Sequence, residues 1–210
     1  MPHAYPILLD VSRRLVVIVG GGAVAARKAG GLIAAGAERV RCIAPEFPTE
    51  PPDGVERINE EYAARHLQDA GLVFAATDRN DVNDAVVRDA RNRGILVNRA
   101  DADDAEPGDF VTPAKLERGA VIVAVSAGSA ALAAAIRDHV AENLDWRFVK
   151  MADAMRELRP MVRGSALSPD RRARVFRDLA DDDALNVLEA AGIDALRGWL
   201  LERYPELKHA

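Results

Sequence analysis

The sequence predicts an α/β fold, a parallel sheet flanked by helices, that gives way to helices alone near Asn143 to Trp146. Three observations carry this prediction. Leu15-Val-Val-Ile-Val19 runs straight into Gly20-Gly-Gly22 and then an alanine-rich segment. Apolar runs of strand length alternate with stretches of helical length, the pattern of βαβ units and a parallel sheet. Beyond Trp146 only helical patterns remain.

Leu15–Val19 reads as a buried strand, because five apolar residues follow one another without the alternation of a half-exposed strand. Gly20, Gly22 and Ala25 fit G-x-G-x-x-G/A, the dinucleotide fingerprint of a Rossmann-like domain. Gly20 would make the tight turn, Gly22 would let the backbone approach a pyrophosphate, and Ala25 would let the next helix pack on the strand. That helix, opening at Ala23, would aim unpaired N–H groups and its positive dipole end at the phosphates. The residues alone leave open a glycine-rich turn that binds nothing.

The helix is expected to stop at Gly36. A second strand, Arg39 to Ala44, is broken by Pro45. Leu72 to Ala76 reads as the next strand, with Thr77 or Asp78 capping a helix over Val82 to Arg93. Gly94 ends it, and Ile95 to Asn98 forms a short strand. Ligands of such sheets bind beyond the carboxyl ends of the strands. The candidate cofactor residues are therefore Gly20, Gly21, Gly22, Ala23 and Val24, then Pro45 and Glu46, then Ala76, Thr77 and Asp78, with Asn98 beyond them.

Asp109 to Thr112 and Ala120 to Val125 are strand-like, and Ser126 and Gly128 lead into a helix from Ser129 to Leu144. Four helices follow: Trp146 to Val162, Pro169 to Leu179, Asp181 to Ala190, and Ile193 to Tyr204. Ser168 and Pro169 make an N-cap and N1 pair, and Gly164 and Gly192 punctuate. The domain boundaries are drawn at 1–112, 113–145 and 146–210.

The 210 residues are 49% hydrophobic and 29% charged, as suits a globular protein of one or two domains. No apolar run approaches the roughly 20 residues of a membrane span, and the first residues have neither the basic nor the apolar region of a secretory signal. No membrane partner is expected, and a cytoplasmic location is the default. The single Cys42 excludes an internal disulfide and any multi-cysteine zinc site; packing is its expected role. The histidines form no metal-binding pair, and no bound metal is expected.

Charge is uneven. From Trp146 to Arg177 nine basic residues stand against three acids, in a chain of net charge −5. Such a lobe suits an anionic ligand, or is a solvated face of charge pairs. Nucleic acid is not expected, given the acidic remainder and 5% aromatic content. At the tip of the second strand Glu46 stands a few residues later than the usual ribose-binding acid, and no arginine follows to hold a 2′-phosphate. NAD is therefore expected over NADP.

Several blocks resemble the precorrin-2 dehydrogenase family of sirohaem biosynthesis, including the N-terminal module of sirohaem synthases. Val19-Gly-Gly-Gly-Ala-Val-Ala-Ala-Arg-Lys28 is similar to its V-G-G-G-x-V-A-x-R-K, and Gly36-Ala37 to its G-A. Ala75-Ala-Thr-Asp78 with Val82-Asn83 resembles A-A-T-D-x-x-x-V-N, and Asn98-Arg-Ala-Asp101 resembles N-x-x-D. Phe110 with Pro113-Ala114, Arg118-Gly119, Ile136-Arg137 and Leu158-Arg-Pro160 resemble later motifs in the same order.

The resemblance implies NAD-dependent oxidation of precorrin-2 to sirohydrochlorin by a homodimer, with a dimerisation segment between the Rossmann-like domain and a C-terminal helical domain. Some members also insert Fe²⁺. The substrate bears carboxylates, which gives the basic lobe a purpose, since arginine forks suit them. The family's important acid falls on Asp101, which could take the proton released on oxidation; the bland alternative is a solvated acid in an acid-rich loop. Ser126, Ser129 and Arg159 are the substrate-binding candidates. One departure stands out: the family often has S-[ST]-x-G-x-S-P where this chain has the shorter Ser126-Ala-Gly-Ser-Ala-Ala131, without proline. That puts substrate fit and chelation in question. The alternatives are a bifunctional dehydrogenase and ferrochelatase, and a non-catalytic dinucleotide sensor.

Overall fold

The computed structural model describes residues 5–100 and 108–209. The chain divides into two compact units, 1–112 and 113–210.

In the first unit, β1 (Leu15–Val19) is buried at every position. It lies at the centre of a parallel sheet with β2 (Arg39–Ile43), β3 (Val55–Ile58), β4 (Ala70–Ala75) and β5 (Val97–Arg99). The spatial order is β3-β2-β1-β4-β5. α1 (Ala23–Ala34) buries Ala25, Ala29 and Leu32, one face of a helix, against Val16, Ile18, Cys42 and Phe74. α2 (Asn80–Asn92) covers the other face with Val86, Val87 and Ala90, against Val17, Val19, Val73 and Val97. The sheet is thus covered on both sides, the doubly wound architecture the alternating pattern predicts. Full burial of each valine or leucine here contributes about 1.5–3 kcal/mol relative to exposure. Cys42 is 1% exposed and packs in the α1 layer.

Several boundaries differ from the sequence reading: β4 starts at Ala70, β5 spans Val97–Arg99, and a further strand, Ala114–Arg118, is not expected from sequence. The edge strand β3 is additional; its Val-Glu-Arg-Ile sequence carries charge on a surface that ion pairs satisfy, Arg41–Glu56 at 2.8 Å and Arg57–Glu50. α2 begins at Asn80, two residues before the expected Val82, and its N-cap is Arg79 without a side-chain cap. Asp109 to Thr112 is extended but is not a ladder strand. Asp109 N donates to the Val97 carbonyl at 2.7 Å, Val97 N donates back to the Asp109 carboxylate at 3.1 Å, and Asn98 Nδ2 donates to the Phe110 carbonyl at 2.8 Å. One backbone bond and two side-chain bonds stitch this segment to the sheet in place of a ladder.

The second unit opens with an antiparallel hairpin, β6 (Ala114–Arg118) and β7 (Val121–Val125). None of its strand residues is fully buried. α3 (Ala130–Asn143) follows, with Ala133 alone buried among its residues. The core of the unit lies further on. α4 (Trp146–Gly164), α5 (Pro169–Asp178) and α6 (Asp182–Arg203) enclose Leu158, Val162, Val175, Leu185, Leu196 and Leu200. Ser168 caps α5 through the Arg171 N–H, with Pro169 at its first turn. Gly192, at φ +78°, breaks α6 where the sequence places a boundary between two helices.

Candidate functional site

The carboxyl ends of β1, β2 and β4 form one rim. Gly20 N donates to the Ile43 carbonyl at 2.9 Å and Ala76 N to the Val19 carbonyl at 2.8 Å, so the three tips are stitched together. Above them lies a cavity of about 750 Å³. Its walls are Gly20 to Val24, Ala44 to Glu46, Ala76 to Arg79, and Val82, with Glu61 and Tyr62 on the β3 side.

The three glycines play different parts. Gly20 has φ +142° and lies against the Ala76 carbonyl, where any Cβ would collide. A Cβ on Gly21 would strike the Glu46 carbonyl oxygen. Gly22 faces open space, with nothing within 4 Å of where its Cβ would stand. Gly20 and Gly21 therefore shape the turn, and Gly22 keeps free the volume above it. Gly22 is also the N-cap of α1, with no side-chain cap and no acid in the first turn. Backbone donors and dipole are left to an anion, and a Cβ at Gly22 would enter the cradle. A dinucleotide pyrophosphate fits this arrangement.

The opposite lip is held by Asn83, fully buried on α2. Its Oδ1 accepts from Thr77 N at 3.2 Å and from Thr77 Oγ1 at 2.8 Å, while its Nδ2 donates to the Thr77 carbonyl at 3.0 Å. Thr77 Oγ1 in turn accepts from Arg79 N at 3.1 Å. Tyr62 donates to Asp89 at 3.0 Å; burial, then that carboxylate, pushes its phenol far above the ordinary range. The cavity is acidic in balance. Glu46, Glu61 and Asp78 line it, and its one lining cation, Arg79, is held by Asp81 at 2.6 Å. That pairing raises the guanidinium and lowers the Asp81 carboxyl from its ordinary value.

Of the residues selected from sequence, Gly20, Gly21, Gly22, Ala23, Val24, Pro45, Glu46, Ala76, Thr77 and Asp78 all line this cavity. Asn98 does not. It is 3% exposed, on the sheet face it shares with Phe74, and donates to the Phe110 carbonyl. Asp101 lies outside the described residues. Ser126 is exposed beyond β7, and Ser129 is the N-cap of α3, accepting from Leu132 N at 3.2 Å; neither lines a cavity described here. Arg159 lines a separate cleft in the second unit. Glu61, Tyr62, Arg79, Val82 and Asn83 are the residues that sequence reasoning passed over. The first two follow β3, the strand whose charged pattern hid it. Val82-Asn83 stands in the motif block but gave no sign of its role.

Near the same sheet end, Lys28 of α1 hydrogen-bonds Thr112 Oγ1 and lies 5.4 Å from the Phe74 ring centroid. Burial, and then Arg27, pushes its ammonium below the usual 10.5.

Comparison with known proteins agrees with this geometry. The family model described as "Putative NAD(P)-binding" matches residues 7–114. A sirohaem synthase of Chromobacterium violaceum is 36% identical over 198 residues, covering 89% of this chain and 42% of that protein. One of Photobacterium profundum is 34% identical over 183 residues, covering 84% and 38%. The chain thus spans about two fifths of the length of the curated relatives it matches. Among solved structures, "SirC, precorrin-2 dehydrogenase" superposes with a TM-score of 0.73 at 22% identity, over 96% of this chain and 100% of that one, so the fold is shared. The chain belongs to this NAD(P)-binding family, and it is similar to about two fifths of the length of the sirohaem synthases it matches.

Proposed function

We propose that the chain oxidises precorrin-2 to sirohydrochlorin, with NAD⁺ as hydride acceptor and a homodimer as the working unit. The observation that carries this is the cavity over Gly20 to Val24, built with backbone donors and an open position at Gly22, in a chain alignable with sirohaem synthases over most of its length. When bound, NAD⁺ takes up the hydride that oxidation releases. The chain's own residues then have distinct tasks. Gly22 and Ala23 bind the pyrophosphate through backbone N–H groups. Glu46 accepts from the adenosine ribose, and the acidic lining disfavours the added phosphate of NADP. The second product of the oxidation is a proton, and Asp101 is the proposed acceptor. Ser126, Ser129 and Arg159 are proposed to meet the substrate.

The dimer reading rests on the second unit. β6, β7 and α3 bury little of their apolar surface within the chain: Ile122 is 45% exposed, Leu132 52% and Ile136 40%. A second copy would cover them. Light scattering should give twice the 22.6 kDa of one chain.

The deciding experiment supplies anaerobic precorrin-2 and NAD⁺ and follows the sirohydrochlorin absorption together with NADH fluorescence. Both signals should rise in equal molar amounts. No change in either would remove the dehydrogenase reading.

A further inference from the structure

The second unit holds a cleft of about 380 Å³ that plays no part in dinucleotide binding. Its lining is Ala120, Ala152, Met155, Arg156 and Arg159. The last four lie on one face of α4, at i, i+3, i+4 and i+7. Ala120 comes from the hairpin turn between β6 and β7. That turn is fixed to α4 by Asp153, whose Oδ1 accepts from Ala120 N at 3.0 Å. Gly119, at φ +53°, leaves room for it: a Cβ there would lie 2.6 Å from Asp153 Oδ2. Two acids adjoin the cleft in sequence, and both are engaged elsewhere: Asp153 by the turn and Glu157 by Arg197 at 2.9 Å.

The two arginines combine a place in the cleft with the lack of a carboxylate partner among the described residues. Several other cations of the unit have carboxylate partners: Arg147 with Asp145 at 2.7 Å, Arg197 with Glu157 at 2.9 Å, Arg203 with Asp178 at 2.7 Å, and Arg171 with Glu206. Among the described residues, neither Arg156 nor Arg159 has a carboxylate within ion-pair distance. Arg159 instead lies 5.3 Å over the Phe176 ring, which supports the guanidinium plane without neutralising it. Other unpaired arginines of the lobe line neither cavity.

We infer that this cleft is a carboxylate-binding subsite for an amphipathic ligand, with Arg156 and Arg159 taking the anionic group and Ala120, Ala152 and Met155 taking the apolar stem. Planar forks match carboxylates in two-point geometry, and Met155 adapts to an aliphatic arm. Resting on the proposed reaction, the ligand is an aliphatic carboxylate arm of the tetrapyrrole. The subsite itself needs only the shared chemistry, an alkyl carboxylate.

The test uses the full chain and two probes. Glutarate is titrated while the arginine Nε–H signals are followed by NMR, and precorrin-2 kinetics are measured in parallel. Arg156→Gln with Arg159→Gln should erase the glutarate-dependent shifts and raise the KM for precorrin-2 by roughly tenfold or more, with NAD⁺ affinity unchanged. Arg156→Lys with Arg159→Lys should restore part of the KM. Signals that ignore glutarate in the wild type, or a wild-type KM in the glutamine pair, would overturn the subsite. Glutarate shifts that vanish in the glutamine pair, in a protein that never oxidises precorrin-2, would keep the subsite and discard the reaction. Circular dichroism of the glutamine pair separates loss of binding from loss of fold, and Arg156→Gln alone, which leaves the Phe176 contact in place, provides the second variant.

Discussion

The carboxamide of Asn83 hydrogen-bonds the main chain of Thr77 from both its ends, accepting from the N–H and donating to the carbonyl. A buried side chain on α2 thereby fixes the loop that forms one wall of the cofactor cavity. Asn83→Ala should remove about 2–4 kcal/mol of stability, from polar groups left unpaired, and weaken NAD⁺ binding as the wall loosens. Urea denaturation and calorimetry measure the two effects. A wild-type midpoint would mean that water replaces the carboxamide without loss.

The glycine loop should separate folding from binding. Gly22→Asp meets open space and should fold with a near-native melting temperature, yet lose NAD⁺ binding through bulk and charge at the pyrophosphate position. Gly21→Ala meets the Glu46 carbonyl and should lose roughly 1–3 kcal/mol of stability or more. Thermal melts beside calorimetry distinguish these outcomes. Unchanged NAD⁺ affinity in Gly22→Asp would show that the cofactor binds elsewhere.

The central sheet was legible because β1 and β4 carry apolar runs, as burial on both faces demands, and because β2, though it alternates arginine with apolar residues, stands between Gly36 and Pro45. The glycine fingerprint placed one wall of the cavity, and the strand ends placed two more. β3 was hidden because an edge strand satisfied by Arg41–Glu56 and Arg57–Glu50 looks like a charged loop. With it went Glu61 and Tyr62. Asp109 to Thr112 read as strand-like, but one backbone bond and the side chains of Asp109 and Asn98, not a ladder, hold the chain there. Hydrophobic pattern does not encode that kind of attachment. Asn98 was singled out from its motif, and its buried position facing Phe110 follows only from the register of β5 against β4.

Cofactor choice should follow the charge of the cavity. Glu46→Ala should improve binding of NADP⁺ relative to NAD⁺ by roughly threefold or more, as one carboxylate is withdrawn from the ribose side. Isothermal titration with both nucleotides measures the ratio. An unaltered ratio would shift the discrimination to Glu61 or Asp78.

Acid should loosen the helical unit through Asp178. Burial is the largest single influence on this carboxyl and raises it, but hydrogen bonds from Tyr204 and Arg203, both at 2.7 Å, outweigh burial and hold it below the ordinary 3.8. A depressed carboxyl contributes stability above the unfolded value that is lost as pH falls through the folded one. The stability gap between wild type and Asp178→Asn should therefore be largest near neutral pH and narrow below 3.8. Melting curves across that range test it; a gap independent of pH would assign the effect to shape alone.

Asp101→Asn keeps side-chain size and removes basicity. As the proposed proton acceptor it should cost about 100-fold or more in kcat, with NAD⁺ affinity little changed. A raised KM at constant kcat would make it a substrate-orienting residue instead. Wild-type values in both would take it out of the reaction.

The burial of Cys42 also has an experimental use. Removal from water pushes its thiol up to about 11, so only about one molecule in ten thousand carries a thiolate at pH 7. The sequence has no other cysteine. Maleimide dyes and spin labels should therefore pass the native chain by, and a cysteine introduced at Ser126 or Arg156 would be the sole reporter. The protein comes ready for single-site labelling, with no need to replace the residue that packs beside Ile18 and Phe74.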